Sequence, residues 1–335
     1  MKRITLVAAI LLLLSGAAMA QTLNVLCSPD LAWCEALGPA YEEATGNELE
    51  FVRLSSSEAL ARIRAEAANP VFDVWFGGTG DPHLVAFNEG LTEFYKPSSW
   101  DQLIPSLTRA VGETYIPLYT GAIGFTVNEG VLEEEGLEVP RCWEDLTDPG
   151  FKNLLAMPDP NSSGTAYTII ATLVQIMGEE QAFEYLAALH QNIQQYTRSG
   201  SAPGQLAGRG DVAVAIQFMH DGVKFAQEGF PVTTVAPCEG TGYEIGGLSL
   251  IANAPHRDAA IEFIEWALTP EAQTIAAQQG NSFQIQSNQA TPVHPASPQL
   301  SEINLIDYDF EKYGSPEVRD SLVQRWTNEI FPLPR

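Results

Sequence analysis

Positive charge is scarce in this sequence. Lysine and arginine together number 17, against 42 aspartates and glutamates, and the formal net charge is −25 at pH 7. Nucleic acid and anionic membrane surfaces repel a chain this acidic, so we expect neither as a partner. A small anionic ligand remains compatible with the composition, because charges beyond a Debye length of about 8–10 Å are largely screened.

The sequence also lacks the common catalytic and cofactor motifs. It contains no G-x-S-x-G elbow, no G-x-x-x-x-G-K-[ST] phosphate loop, no H-E-x-x-H helix and no G-x-G-x-x-G turn. Its five histidines stand far apart, without the paired spacing of a metal site. We therefore expect no cofactor and no metal. The motifs give no positive evidence that the protein is an enzyme.

Long apolar runs are missing after the first twenty residues. Residues 1–20 begin with a basic "MKR", continue through an apolar core at 4–14 and end in "AMA". This pattern predicts a secretory signal peptide cleaved between Ala20 and Gln21, and hence a periplasmic protein. An uncleaved membrane anchor is the alternative. Glutamine rather than cysteine after the cleavage site disfavours a lipoprotein.

Cysteine is infrequent, but an even number of cysteines in an exported chain indicates disulfide bonds. The four cysteines predict two disulfides, for which three pairings are possible. We favour Cys27 with Cys34, which closes a short loop, and Cys142 with Cys238, which joins two distant segments. The alternative is four reduced, buried thiols.

Strand and helix patterns alternate along the whole chain, which predicts an α/β fold. Strands are predicted at 22–28, 48–54 and 72–78, and helices at 31–46 and 55–70. Strand, helix, strand, helix, strand at this spacing is the pattern of a parallel sheet.

The organisation changes in the middle of the chain. The stretch 115–130 is predicted as two extended runs broken at Thr120-Gly121, after which a second α/β set begins. Extended segments near 117–121 and 243–248 connect the two sets and predict two hinge strands with a ligand cleft between two lobes. We predict the first lobe over 21–118, the second over 119–246, and a return to the first over 247–335, with C-terminal helices bracing both lobes.

Hydroxyls and glycines precede several predicted helices, at Ser28, 55–57, 78–80 and 162–165. Exposed N–H groups at a helix start suit an oxyanion such as phosphate. The alternative at each junction is ordinary helix capping. Arg198 either pairs with such an oxyanion or forms a surface salt bridge.

Two polar residues, His220 and Asp221, follow the predicted buried strand 212–216. The carboxyl end of such a strand faces the cleft of an α/β lobe, so both residues, with Glu244, are candidates for ligand contact. Carboxylates accept the hydrogen bonds that sugar hydroxyls donate, and histidine donates or accepts. Otherwise Asp221 caps the following helix and His220 lies on the surface.

Several segments, including "LNVLCSPDLAWCEALGPAYEEATG" and "WALTPEAQ", resemble the extracytoplasmic solute-binding proteins of ABC importers. The resemblance covers the mature chain and is narrower for the ferric-binding-like group, whose members bind ferric iron, phosphonates or hexose phosphates. "MHDGV" followed by "CEGTGYEIGG" is similar to the hexose-phosphate binders. The family implies a two-lobed, type II periplasmic binding protein.

The resemblance also implies roles for individual residues. His220, Asp221 and Glu244 would hold sugar hydroxyls, and hydroxyl groups at helix starts would hold the phosphate. The residues whose hydroxyls would hold the phosphate are Ser28, Ser57, Thr79, Ser163 and Thr165.

We therefore expect a monomeric, non-catalytic binding protein that delivers a sugar phosphate or related organophosphate to an ABC permease in the inner membrane. One alternative is ferric iron binding, although the adjacent tyrosine pair of the iron-binding members is missing here. Another is a secreted enzyme that uses Asp221 and Glu244 as an acid/base pair. A receptor whose cleft is secondary is a third.

Overall fold

The computed structural model describes residues 22–335. The predicted signal peptide over residues 1–20 and its cleavage site lie outside the described residues. None of the helices formed by residues 22–335 is both long enough and apolar enough to pass through a bilayer.

Strands and helices alternate along the described chain. The strands are β1 (Leu23–Cys27), β2 (Leu49–Arg53), β3 (Val74–Phe76), β4 (Thr92–Glu93), β5 (Ile116–Val127), β6 (Leu155–Pro158), β7 (Ile193–Thr197), β8 (Val214–Phe218), β9 (Thr233–Val235), β10 (Tyr243–Ile251) and β11 (Ile285–Gln286). The α-helices are α1 (Leu31–Thr45), α2 (Ser56–Glu66), α3 (Gly80–Asn88), α4 (Pro105–Val111), α5 (Glu129–Glu135), α6 (Gly164–Met177), α7 (Glu179–His190), α8 (Ala202–Arg209), α9 (Met219–Gln227), α10 (Arg257–Ala267), α11 (Pro270–Gln278), α12 (Phe310–Tyr313) and α13 (Pro316–Arg325). Short 3-10 turns lie at Trp100–Gln102, Glu144–Thr147, Pro149–Phe151 and Leu300–Glu302, and a π-helical turn at Trp326–Ile330.

The strands join in the order β2-β1-β3-β10-β5-β8-β6-β7, with β4, β9 and β11 attached at the sides. At one end β1 pairs parallel with β2 and β3, and at the other β6 pairs parallel with β7 and β8. The antiparallel strands β5 and β10 lie between them. Two α/β halves connected by two shared strands make the predicted two-lobed fold.

Local sequence signals account for the first helices. Helix α1 ends before Gly46, whose φ of 78° is the left-handed conformation that glycine adopts most easily. Helix α2 begins after Ser55, whose N–H donates to the Glu58 carboxylate at 3.3 Å. This helix ends at Glu66, earlier than the predicted end at Pro70.

The predicted break at Thr120-Gly121 is wrong, because β5 runs without interruption for 12 residues. Gly121 serves a different purpose. A Cβ there would lie 2.4 Å from Nδ1 of His220, a separation too short for any contact. The missing side chain gives the histidine ring its place beside the strand.

Two of the buried apolar clusters correspond to the two halves. One collects side chains such as Trp33, Phe76 and Phe263, and another joins α6 and α7 to the C-terminal Trp326. Helices α12 and α13 therefore pack on the second half, whereas α10 and α11 pack on the first. The lobe boundaries at 118 and 246, and the bracing of both lobes, stay predictions.

The favoured disulfide pairing is confirmed. Cys27, at the end of β1, is bonded to Cys34 in α1, and Cys142 is bonded to Cys238 across a sequence separation of 96. The second bridge fastens the segment after α5 to the segment before β10. It closes a loop that contains most of the second half.

Removing the Cys142–Cys238 bridge is expected to lower stability strongly. Cross-linking a loop of this length is worth about 4–5 kcal/mol through the lost entropy of the unfolded chain. Urea unfolding of the Cys142→Ser single variant and of the Cys142→Ser, Cys238→Ser double variant should show the same loss, because either change breaks the bond. A loss below about 1 kcal/mol would contradict this account.

Candidate functional site

Seven of the eight sequence-predicted ligand residues line one cavity. We call it the inner cavity, and it lies between the two halves, beside β5 and β10. It encloses about 430 Å³ of empty space, including the part open to solvent. Its predicted lining residues are Ser28, Thr79, Ser163, Thr165, His220, Asp221 and Glu244.

Hydroxyl groups form one wall of the inner cavity. Three helix N-termini, those of α2, α3 and α6, contribute lining residues at this wall. The Ser56 hydroxyl accepts a hydrogen bond from the N–H of Thr79 at 3.1 Å. The Thr79 hydroxyl is buried without a hydrogen-bond partner among residues 22–335. Amides and hydroxyls at three helix starts make a wall rich in donors for an anion.

Two glycines make room for hydroxyls at the inner cavity. A Cβ on Gly164 would lie 1.8 Å from Oγ1 of Thr79 in the other half, and a Cβ on Gly200 would lie 2.1 Å from Oγ1 of Thr165 in the same half. Neither contact is physically possible, so any larger residue at either position would displace the neighbouring hydroxyl. The absence of a side chain at Gly164 and Gly200 therefore sets the spacing of these hydroxyls.

Carboxyl groups and a histidine form a second wall of the inner cavity. Nε2 of His220 lies 3.7 Å from Oδ1 of Asp221 and 3.9 Å from Oε1 of Glu244. The three residues are 4%, 7% and 4% exposed, respectively. The His220 ring stacks on Phe218, and its Nδ1 has no hydrogen-bond partner in the described chain. Helix α9 starts at Met219, so His220 and Asp221 are in its first turn.

Burial controls the protonation of this wall. It lowers the pKa of His220 to about 3, which keeps the imidazole neutral at physiological pH. Burial, with the Asp30 charge, raises the pKa of Asp221 well above its usual range despite Lys224 and Arg53. Burial, with Asp221 nearby, also raises the pKa of Glu244 well above its usual range. The raised pKa values favour the protonated carboxyls, which, like a neutral imidazole, both donate and accept hydrogen bonds.

Ser57 does not line the inner cavity. Its hydroxyl accepts from Nη2 of Arg319 at 2.6 Å and donates to the Pro160 carbonyl at 3.4 Å. The lining position belongs to Ser56 instead. Successive helical residues point about 100° apart, and the sequence alone does not say which of three consecutive serines faces the cavity.

Arg53 is a lining residue that the sequence analysis missed. Its guanidinium donates to neutral oxygens, namely the Pro29 carbonyl at 3.1 Å and the hydroxyls of Ser55 at 3.2 Å and Ser199 at 3.4 Å. Its position at the end of β2, directly before a helix start, is the signal that would have found it. Arg198, which the sequence analysis considered as a partner for an oxyanion, has a side chain that is 85% exposed and pairs with Glu58.

Polar contacts cross the mouth of the inner cavity. Asp30, which follows β1 in the first half, accepts from Nζ of Lys224 at 2.7 Å and from the Ser201 hydroxyl at 2.7 Å. The hydrogen bond from Arg53 to Ser199 joins the same two halves. The structure is therefore a closed form, in which residues from both halves surround the cavity.

Comparison with known proteins places this architecture in a family. The sequence model of the family described as bacterial extracellular solute-binding protein matches residues 76–312 of this chain. The chain is similar to the periplasmic binding protein AfuA from Actinobacillus pleuropneumoniae, a structure with exogenous fructose-6-phosphate bound. The two are 41% identical, with a TM-score of 0.91 and coverage of 93% of this chain and 99% of that one.

Two further solved structures extend the comparison. The periplasmic binding protein P5PA is 36% identical, with a TM-score of 0.89 and coverage of 92% of this chain and 99% of that one. Iron-bound HitA from Pseudomonas aeruginosa shares the fold at 18% identity, with a TM-score of 0.77 over 90% of this chain and 98% of that one. The resemblance inferred from the sequence is confirmed, and the chain belongs to the bacterial extracellular solute-binding protein family.

Proposed function

We propose that this chain captures a small sugar phosphate in the inner cavity and delivers it to an ABC permease. One observation carries the proposal: hydroxyls at three helix starts and the group His220, Asp221 and Glu244 line the same cavity. The fructose-6-phosphate in the structure of AfuA, a protein 41% identical, supports the same ligand class. Residues 1–20 would direct export to the periplasm, where the chain would act as a monomer.

The phosphate end is assigned to the hydroxyl wall. Ser28, Ser56, Thr79, Ser163 and Thr165 offer hydroxyls beside the helix starts of α2, α3 and α6. Helix N-termini favour anions by about 0.3–1 kcal/mol each, so convergence of three is significant. Arg53 adds a full positive charge at the cavity lining, which no single helix start provides.

The sugar end is assigned to His220, Asp221 and Glu244. Hydroxyls of a sugar both donate and accept hydrogen bonds. Burial lowers the pKa of His220 and raises the pKa values of Asp221 and Glu244, which favours the neutral forms that offer both roles. A second phosphate is unsuited to this wall, since ionisation of either acid would place like charges together. The two walls thus orient a ligand with one anionic end and one hydroxylated end.

Binding is proposed to be non-catalytic and coupled to hinge rotation about β5 and β10. The closed form buries the two acids and the histidine, and opening would return them to water. A ligand that satisfies their hydrogen bonds favours closure, because buried polar groups without partners are costly. The closed, loaded protein would then be the form presented to the permease.

Titration calorimetry with simple probes tests the proposed ligand class. Glucose 6-phosphate is expected to bind at least about 100-fold more tightly than glucose or inorganic phosphate, because each of these fills one wall only and loses about 3 kcal/mol. NMR of the recovered ligand after long incubation should show it unchanged. Equal affinities for glucose and glucose 6-phosphate would refute the phosphate assignment, and a converted product would support the enzyme alternative.

Two neighbouring serines give a matched pair of variants. Ser56→Ala is expected to weaken glucose 6-phosphate binding by about 1–2 kcal/mol, because it removes a lining hydroxyl. Ser57→Ala should change the affinity by less than about 0.5 kcal/mol, since its hydroxyl contacts Arg319. Calorimetry of both variants measures the loss of affinity for glucose 6-phosphate. A larger loss from Ser57→Ala than from Ser56→Ala would show that the ligand contact belongs to Ser57.

Glu244→Gln is expected to weaken ligand binding and to stabilise the ligand-free protein at high pH. Burial raises the native pKa of Glu244 above its unfolded value near 4.5. The contribution of the protonated carboxyl to stability is therefore complete below pH 4.5 and is lost as the pH rises toward the native pKa. Glutamine avoids that loss, and urea unfolding should show a gain of about 1 kcal/mol at pH 8 that disappears near pH 4.5.

The exposed Glu134→Gln is the matched control for that experiment. It changes the same charge at the surface and should give no pH-dependent gain. An equal gain from Glu244→Gln at both pH values would show that burial of the charge is not the cause.

A further inference from the structure

A second cavity shares Thr79 and Glu244 with the inner cavity. We call it the outer cavity. Its empty space measures about 1080 Å³, which, like the value for the inner cavity, includes the part open to solvent. Thr79 and Glu244 line both cavities, so the two spaces are adjacent at these residues. Neither the family comparison nor the proposed sugar phosphate site uses this space.

Both halves of the protein line the outer cavity. Leu84 of α3 and Tyr115, directly before β5, belong to the first half. Thr168 of α6 and the aromatic residues Tyr308 and Phe310 belong to the second half, where Tyr308 packs in the same buried cluster as α6. A ligand here would touch both halves and would favour the closed form.

Aromatic rings form the floor of the outer cavity. The ring of Phe310 lies 5.1 Å from that of Tyr243 and 4.7 Å from that of Tyr308. All three rings line the cavity, and Tyr308 is only 7% exposed. Tyr243 and Tyr308 each carry a phenolic hydroxyl beside these rings. Rings that offer a flat apolar face with adjacent hydroxyls suit a hydroxylated ring.

The charges around the outer cavity are balanced. Asp81 is paired with Nε of Arg319 at 3.1 Å, and burial raises the pKa of Glu244. Arg109 and Glu311 lie exposed at the rim with opposite charges. The inner end of the cavity therefore offers no strong attraction for an ion, and an uncharged ligand is favoured.

We propose that the outer cavity binds a neutral hydroxylated ring of the saccharide type. The ring belongs either to a free saccharide or to a ligand that also carries a phosphate in the inner cavity. The second form rests on the proposed function, whereas the first does not. Because both cavities take their shape from the closed form, a free saccharide and a sugar phosphate would each increase the affinity of the other by the same factor.

Calorimetry with three probes tests this proposal on the full mature chain. The probes are glucose 6-phosphate, trehalose and trehalose 6-phosphate. Ala110→Trp, on the exposed side of α4, adds a large ring at the cavity lining, and Ser106→Trp makes the same addition on α4 outside the lining. Tyr308→Phe removes one floor hydroxyl and retains the ring.

Trehalose is expected to bind and to raise the affinity for glucose 6-phosphate at least threefold if the ring comes from a free saccharide. Trehalose 6-phosphate is expected to bind at least fivefold more tightly than glucose 6-phosphate if the ring is attached. In either case Ala110→Trp should abolish the gain, Tyr308→Phe should reduce it, and Ser106→Trp should leave it intact.

The proposal is overturned if trehalose does not bind the wild-type protein and trehalose 6-phosphate binds no more tightly than glucose 6-phosphate. It is also overturned if Ala110→Trp and Ser106→Trp behave alike. Its failure is separate from that of the proposed function. Glucose 6-phosphate that binds without either gain refutes the outer cavity alone. Trehalose that binds while glucose 6-phosphate does not refutes the sugar phosphate assignment and supports the outer cavity.

Discussion

Burial of polar groups that have no partner in the protein is the constraint on which the rest of this structure depends. Nδ1 of His220 and the Thr79 hydroxyl are both enclosed, and neither forms a hydrogen bond within residues 22–335. Leaving such a group unsatisfied costs about 1–3 kcal/mol. Both groups line the inner cavity, and in the proposed function a ligand there supplies the missing hydrogen-bond partners.

The same constraint explains the glycines around the site. Gly121 gives room to the His220 ring, Gly164 gives room to the Thr79 hydroxyl of the other half, and Gly200 gives room to the Thr165 hydroxyl of its own half. Each has an ordinary backbone conformation, so the absence of a side chain, rather than backbone freedom, is what the position requires. These residues set the spacing of the polar groups around the inner cavity.

Closure draws on contacts at opposite sides of the cavity. Asp30 meets Lys224 at the mouth, and Arg319 of α13 reaches Asp81 at the start of α3. Arg319 also packs over the ring of Tyr167 in α6, so it joins elements of both halves. Buried ion pairs add little net stability, because desolvation of the two charges offsets their attraction. Breaking such a pair is costly, since it leaves a charge uncompensated, and the pair therefore favours one geometry. Such contacts suit a protein that must select one closed arrangement and still open.

Local chemistry along the chain was sufficient to predict the alternating α/β pattern, the end of α1 at Gly46 and the position of His220 and Asp221 directly after a buried strand. These predictions depend on period, capping and residue type, which are properties of short segments. Local chemistry did not reveal that β5 is continuous at Thr120-Gly121, that Ser56 rather than Ser57 lines the inner cavity, or that Arg53 lines it too. Each depends on what a distant segment places beside the residue. The sequence by itself determined which chemical groups are available and at which ends of strands they lie. Only the tertiary structure decided which of them share a cavity, because that choice follows from the packing of two halves far apart in the chain.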